Sequence, residues 1–185
     1  GLASKLLRAI VSASGGVMII ALLLTMVCCI VLGMGVPTTA TYCIMAATCA
    51  PILMSPEIGV EMLAAHFFVF YFGIVADITP PVALAAYAGA AIAKAGPMKT
   101  AFNASRLAIA AFIVPYIIAM NPAMLFINTT APEVVMITIT SIIGIFGVAA
   151  GLSGFVFRNM KWWERILCIV GGLTLLVPGS LTDLI

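Results

Sequence analysis

The chain has 185 residues, of which 64% are hydrophobic and only 8% are charged, and its mean hydropathy is +1.30. Ordinary soluble domains carry charge on about a quarter of their residues, so this composition excludes that class, and disordered chains are excluded with it. The formal net charge of +2 is too small to indicate a nucleic-acid partner. The composition therefore predicts an integral protein of the lipid bilayer.

Charged residues are separated by long uncharged stretches. None lies between Arg8 and Glu57 or between Arg106 and Glu133. Because a spanning helix needs about 20 apolar residues, we expect about five or six membrane-embedded segments and no soluble domain. The sequence starts at Gly1 without an initiator Met, and we interpret it as a C-terminal fragment of a larger protein.

Two clusters of basic residues indicate the orientation of the chain. They consist of Lys94, Lys99 and Arg106, and of Arg158, Lys161 and Arg165. Since cytoplasmic loops are enriched in Lys and Arg, both clusters are expected in the cytoplasm, and the acidic stretches around Glu57 and Glu133 outside. Trp162 and Trp163 fit an interfacial anchor, with ligand stacking as the alternative.

The five cysteines lie within apolar runs and show no C-x-x-C spacing. They are Cys28, Cys29, Cys43, Cys49 and Cys168. This distribution favours small buried hydrophobic side chains over a metal site or a disulfide framework.

Residues 33–41 interrupt the first long apolar stretch. They include two glycines, Pro37 and three threonines, a composition that disfavours a continuous helix. The apolar legs on either side, about residues 16–32 and 40–52, are each at or below the short end of a spanning length. They predict a re-entrant hairpin over residues 16–55, with two conventional spans joined by a short turn as the alternative.

A second interruption divides the apolar stretch over residues 58–93. Pro80 and Pro81 cannot both continue an α-helix, and Asp77 precedes them within a segment that is otherwise apolar. A carboxylate inside a membrane is costly, which makes Asp77 a candidate functional residue. In the alternative interpretation the prolines only kink the helix and Asp77 caps its second half.

Both interruptions contain threonine and proline, a combination that can supply ligands for ions. Freed backbone carbonyls and threonine hydroxyls are hard oxygen ligands that suit Na⁺, while the N-termini of half-helices favour an anion. Two broken elements in succession are typical of the binding site of a secondary transporter.

Three segments together resemble one protein family. They are residues 32–40 (LGMGVPTTA), 64–72 (AAHFFVFYF) and 78–87 (ITPPVALAAY). They resemble the large membrane (permease) component of tripartite ATP-independent periplasmic (TRAP) transporters, in particular the fused, TAXI-type permease that joins the small and large membrane subunits in one chain. The resemblance extends from the first residue to about residue 125.

The resemblance implies an all-α polytopic membrane protein, one half of an elevator-type transporter. Residues 1–127 would form the second repeat of the transport domain. Its parts would be an interfacial arm over residues 1–14, a re-entrant hairpin over 16–55, a discontinuous, Pro-broken helix over 58–93 and a transmembrane helix over 105–127. Residues 128–185 would form a C-terminal extension with two further transmembrane helices, at about 134–156 and 166–177.

The implied function is Na⁺-coupled import of an organic acid across a bacterial or archaeal cytoplasmic (inner) membrane. The substrate, a carboxylate, would be delivered by a periplasmic substrate-binding protein. The first repeat and the small-subunit part of the permease would be further partners, and no cofactor other than the coupling ion Na⁺ is expected. The alternative is a membrane scaffold or anchor subunit that does not transport.

The resemblance also implies that the two interruptions together form one Na⁺ site and one wall of the substrate site. The substrate-binding candidates are Gly35, Pro37, Thr38, Thr39, Thr79, Pro80 and Pro81. The candidate Na⁺ ligands are Gly33, Thr38, Thr39, Asp77 and Thr79.

An enzyme that uses Asp77 and His66 is disfavoured, because the sequence has neither an H-E-x-x-H nor a G-x-S-x-G motif. We expect His66 to be a packed, hydrogen-bonded residue, with proton coupling as the alternative. Small residues in two places predict close approach of neighbouring helices. These residues are Gly147 and Gly151, and the stripe of Ala85, Gly89 and Ala93.

Overall fold

A computed structural model describes residues 2–127 and 129–176. All regular secondary structure in this part is helical and there is no β-strand, so the prediction of an all-α fold is confirmed. The expected end of the last span, at residue 177, lies outside the described residues. The chain divides into two compact units, Gly1–Ala119 and Met120–Ile185.

The first unit contains eight helices in its described residues. They are α1 (Leu2–Ser14), α2 (Met18–Gly33), α3 (Thr38–Thr48), α4 (Ala50–Leu53), α5 (Met62–Val75), α6 (Leu84–Ile92), α7 (Pro97–Leu107) and α8 (Ile109–Met120). A 3-10 turn, Ala76–Ile78, continues α5.

Short polar and conformational signals set the ends of these helices. Gly35, between α2 and α3, has a φ of +74°, a left-handed conformation that costs glycine little. Pro37 stands at the N-cap of α3, and the side chain of Glu61 caps α5 by accepting a 2.6 Å hydrogen bond from the backbone N–H of Leu63. We call residues 33–39, which comprise the end of α2, the link and the first residues of α3, the tip.

Helix α5 lies at the centre of the first unit. Phe68 and Phe72 are fully buried, and the ring of Tyr116 on α8 meets them edge-on, with centroids 5.3 and 5.8 Å away. Helices α2 and α3 both pack against α5. The two legs of the predicted hairpin thus share one supporting helix.

The span expected over residues 105–127 differs from the structure. Helix α8 ends at Met120, since Pro122 lacks the N–H that would continue it, and a short 3-10 helix, Pro122–Leu125, follows. At its start α8 follows α7 after a bend of 42°. Residue 105 therefore belongs to α7, a separate helix.

The second unit contains a pair of helices, α9 (Ala131–Ser153) and α10 (Trp162–Leu176). Helix α9 ends where Gly154 adopts a left-handed φ of +71°. Arg165 covers its last carbonyls by donating from Nε to Gly151 O at 2.9 Å and from Nη2 to Leu152 O at 3.0 Å.

An ion pair at the surface joins the loop before α10 to the first turn of that helix. The Arg158 guanidinium donates to the Glu164 carboxylate at 2.6 Å, and the Lys161 backbone N–H donates to it at 2.9 Å. The Lys161 N–H first, and then Arg158, hold the pKa of the Glu164 carboxyl below its usual value. Because the pair is exposed, it adds little to stability.

Glycines bring α9 and α10 into close contact. A Cβ at Gly172 would lie 2.6 Å from the carbonyl oxygen of Gly144, and one at Gly151 would lie 2.7 Å from that of Arg165. Both distances are shorter than van der Waals contact, so backbone meets backbone at these points. The structure places Gly147 and Gly151 on this interface, where a G-x-x-x-G pair allows close packing.

Two adjacent glycines of α10 should respond oppositely to the same change. Gly172→Ala is expected to destabilise the α9–α10 pair by about 1–3 kcal/mol, because the added methyl group meets backbone atoms. Gly171→Ala should be neutral or slightly stabilising, since nothing lies within 4 Å of its would-be Cβ. Thermal unfolding of the detergent-purified protein compares the variants, and equal midpoints would contradict the close packing.

The length and apolarity of each helix bear on membrane insertion. Among the described residues, Ala131–Ser153 alone is long and apolar enough to cross a bilayer, and α7 with α8 would qualify as one bent span. Three shorter apolar helices are Met18–Gly33, Thr38–Leu53 and Met62–Ile78. The expected five or six membrane-embedded segments therefore stay a prediction.

Candidate functional site

The two interruptions of the sequence come together in the first unit. The chain between α5 and α6, residues 76–83, forms a second irregular segment, which we call the break. A cleft of about 240 Å³ lies where the tip and the break meet. It is lined by Gly35, Val36, Pro37, Asp77, Leu84 and Ala85. Two segments that are about 40 residues apart in sequence thus form one site.

A close approach of backbones holds the tip against the break. A Cβ at Gly33 would lie 3.0 Å from the Cβ of Ala76 and 3.2 Å from the carbonyl oxygen of Gly73. A Cβ at Gly73 would in turn lie 3.1 Å from a methyl group of Thr41. Only glycine fits these positions without displacing neighbours, so the end of α2 lies directly on the junction of α5 and the break.

Thr41 fixes the conformation of the tip. This buried residue donates from its hydroxyl to Val36 O at 3.0 Å, and from its backbone N–H to Pro37 O at 2.9 Å. One residue of α3 therefore satisfies two carbonyls of the tip. The bond from the buried Thr41 hydroxyl ties the first turn of α3 back to the link that precedes it.

The two prolines leave carbonyl groups of the break without their helical donors. In a continuous helix the Ala76 and Asp77 carbonyls would accept from the N–H groups of residues 80 and 81, which proline lacks. Thr79 supplies two replacements, from its hydroxyl to Val75 O at 2.7 Å and from its N–H to Ala76 O at 3.3 Å. No described residue donates a hydrogen bond to the Asp77 carbonyl.

Side chains of helices α6 and α7 bind two further carbonyls of the break. The hydroxyl of Tyr87 donates to Pro81 O at 2.5 Å, and that of Ser105 lies 3.0 Å from Ile78 O. Ala83, the residue before α6, adopts a left-handed φ of +37°. Side chains from two neighbouring helices therefore support the irregular backbone around Pro80.

Two helix N-termini adjoin the cleft. Leu84 and Ala85 are the first residues of α6, and Pro37 is the N-cap of α3. The N–H groups of a first helical turn have no partner within the helix, and the helix dipole gives them a partial positive charge. The Asp77 carboxyl group also belongs to the lining of the cleft. The cleft thus combines donors suited to an anion with oxygens suited to a cation.

Of the predicted site residues, the cleft brings together Gly35, Pro37 and Asp77. Gly33 is buried next to the cleft, and Thr38 and Thr39 are exposed in the first turn of α3. The other three, Thr79, Pro80 and Pro81, belong to the break but are not among the lining residues.

Sequence reasoning missed several residues of the site. Val36, Leu84 and Ala85 line the cleft, and their aliphatic side chains gave no chemical signal. Thr41, Tyr87 and Ser105 hold its backbone. Of these three residues only Thr41 had a signal in the sequence, because it is the last threonine of the stretch over residues 33–41.

His66 and the cysteines lie outside the cleft lining. The Tyr42 hydroxyl on α3 is 3.0 Å from Nδ1 of His66 on α5, so His66 is hydrogen-bonded as expected. The sulfur atoms of Cys28 and Cys49 are 3.9 Å apart, and both thiols are free. Within the described residues, no three His, Cys, Asp or Glu side chains are grouped as metal ligands.

The small-residue stripe of α6 differs from the expectation. Ala85, Gly89 and Ala93 are exposed, whereas Ala86 and Ala90 are buried. Within the described residues the other face of α6 makes the contacts, so the approach of a further helix to the stripe stays a prediction. Ala86 packs with Ala83 and with Ala101 on α7.

The helical fold and the cleft between two irregular segments are features of membrane transport components. Residues 1–134 match the DctM component of the tripartite ATP-independent periplasmic transporters, which is more than two thirds of the chain. The chain therefore belongs to this family of transporter permeases, and the predicted resemblance is confirmed.

A second match covers the end of the chain. Residues 134–185 match DUF3394, a domain of unknown function. DctM followed by DUF3394 is typical of the C-terminal part of fused TRAP permeases. No curated protein and no solved structure matches the chain.

Proposed function

We propose that this chain forms part of a sodium-coupled permease that imports an organic acid. Membership of the DctM family supports a transport role. The cleft between tip and break is the observation that supports sodium coupling and an organic-acid substrate. It is lined by both of the segments that were predicted from the sequence to bind ion and substrate. The proposed substrate is a small carboxylate, delivered by a periplasmic substrate-binding protein.

The chemistry of the cleft supports an anionic substrate. The first turns of α3 and α6 adjoin it, and their free N–H groups favour a negative charge. The aliphatic lining of Val36 and Leu84 would contact the carbon chain of an organic acid. We therefore place the substrate carboxylate next to Pro37 and Leu84.

The opposite side of the cleft supports a cation. Asp77 contributes a carboxylate, and its backbone carbonyl has lost its helical donor because residue 81 is a proline. In broken transporter helices, unwound carbonyls of this kind coordinate Na⁺. We propose a Na⁺ site formed by Asp77, Thr79 and the tip residues Gly33, Thr38 and Thr39.

The proposed membrane arrangement follows from the lengths of the helices. Helices α2 and α3 have 16 and 11 residues and are joined at the tip, so they would form a re-entrant hairpin that does not cross the bilayer. Transport would proceed by an elevator movement of this unit in the inner membrane. The first repeat and the small-subunit part of the permease would complete the multi-pass assembly.

Sodium ions should stabilise the protein against heat more than potassium ions do. A ligand at ten times its dissociation constant adds about 1.4 kcal/mol to the native state. We expect a higher unfolding midpoint in NaCl than in matched KCl for the purified intact permease. The difference should shrink in Thr39→Ala and in Thr79→Ala.

Thr48→Ala is the matched control for these variants. Thr48 lies at the far end of α3, where its hydroxyl donates to Ile44 O at 2.7 Å, so its removal should leave the sodium effect intact. Equal midpoints of the unmodified permease in NaCl and KCl would contradict the sodium site and would favour a scaffold role or another coupling ion. A sodium effect that persists in both variants would exclude these threonines as ligands.

A further inference from the structure

The position of the Ile78 carbonyl depends on a residue outside the tip and the break. Ile78 is the last residue of the 3-10 turn, and Thr79 then takes an extended conformation with φ −103° and ψ 128°. Because the chain leaves the helix here, no helical N–H lies opposite the Ile78 oxygen. The carbonyl needs a donor from another element.

Ser105 on α7 supplies that donor. Its hydroxyl oxygen is 3.0 Å from Ile78 O and 3.1 Å from Ala101 O. Ala101 lies one helical turn earlier in α7, where its carbonyl has the N–H of residue 105 as its regular partner. A hydroxyl has a single proton to donate. The hydrogen bond to Ile78 O is favoured over the one to Ala101 O, because the Ile78 carbonyl lacks a helical partner.

The packing of α7 keeps Ser105 close to the break. Ala101 is fully buried and contacts Ala83 and Ala86, with Tyr87 and Ala104 packed around them. Tyr87 holds Pro81 O on the other side of Thr79. Two hydroxyls thus fix the carbonyls on both sides of the Thr79-Pro80 segment, and they belong to α6 and α7.

We propose that Ser105 is a positioning residue for the sodium site. By holding Ile78 O, it fixes where the neighbouring Asp77 and Thr79 stand relative to the tip. This role makes the ion affinity of the cleft depend on α7, a helix without a residue in the cleft lining. The inference rests on the proposed sodium coupling.

The test measures uptake as a function of Na⁺ concentration in the intact permease with its binding protein. Ser105→Ala should raise the Na⁺ concentration for half-maximal uptake about two- to tenfold, the effect of one lost hydrogen bond. The maximal rate at saturating Na⁺ should stay near that of the unmodified permease. Ser105→Thr retains a hydroxyl and should restore the lower value.

Thr100→Ala is the matched control on the same helix. The Thr100 hydroxyl donates to Gly96 O at 3.0 Å, within the first turn of α7, so its loss should leave the Na⁺ dependence unchanged. The inference is overturned if Ser105→Ala leaves the Na⁺ concentration for half-maximal uptake at the value of Ser105→Thr and Thr100→Ala. It is also overturned if Ser105→Ala lowers only the maximal rate. If uptake by the unmodified permease is itself independent of Na⁺, the proposed function fails before Ser105 is tested.

Discussion

Replacing Asp77 with asparagine should raise the Na⁺ concentration needed for half-maximal uptake roughly ten- to hundredfold, the usual range for an interaction with a charged group. Asparagine preserves the size of the side chain and one oxygen but removes its charge. Asp77 lines the cleft, and within the described residues no other acidic side chain does so. Titration of uptake against Na⁺ in the intact permease measures the effect.

Glu57→Gln is the control for charge removal. Glu57 is exposed and has no place in the cleft lining, so its neutralisation should leave the titration unchanged. If Asp77→Asn transports normally at every Na⁺ concentration, the carboxylate is not an ion ligand; it is not the cap of α6 either, since the N-cap there is Ala83 and no side chain caps the helix. Asp77→Glu distinguishes charge from geometry, because it retains the charge but moves it by one methylene group.

The two irregular segments could be predicted because their causes are local. Pro37 and the Pro80-Pro81 pair remove backbone donors wherever they stand, and Gly35 permits a left-handed φ. The sequence therefore indicated where the helices end and which residues adjoin the ends. The family resemblance added the expectation that the two segments form one site, and the structure brings Gly35, Pro37 and Asp77 together in one cleft.

The supporting contacts could not be predicted from the sequence, since they depend on how the helices pack. Ser105 is 27 residues from Ile78 in the chain and reaches it only because α7 folds back along α6. The buried face of α6 is another example, because alanines lie on all its sides. Periodicity identifies a helix, but it does not separate two faces of the same composition.

The closest contact between tip and break is expected to tolerate no side chain. Gly33→Leu should lower uptake at least tenfold, because a leucine would force α2 away from Ala76 and Gly73 and open the cleft. Val31→Leu is the control, since Val31 is exposed on the same helix. Uptake is compared at equal amounts of folded, membrane-inserted protein, and normal transport by Gly33→Leu would contradict the contact.

A double substitution tests the contact directly. The nearest atom to a new Cβ at Gly33 is the Cβ of Ala76, at 3.0 Å, so Ala76→Gly should partly relieve the effect of Gly33→Ala. For residues in contact the coupling energy is about 0.5–3 kcal/mol, whereas distant residues add independently. Relief would be partial, because the carbonyl oxygen of Gly73 stays 3.2 Å away. Ala76 immediately precedes Asp77. A coupling energy measured between positions 33 and 76 would therefore show that the end of α2 interacts with the segment that carries the proposed sodium ligand.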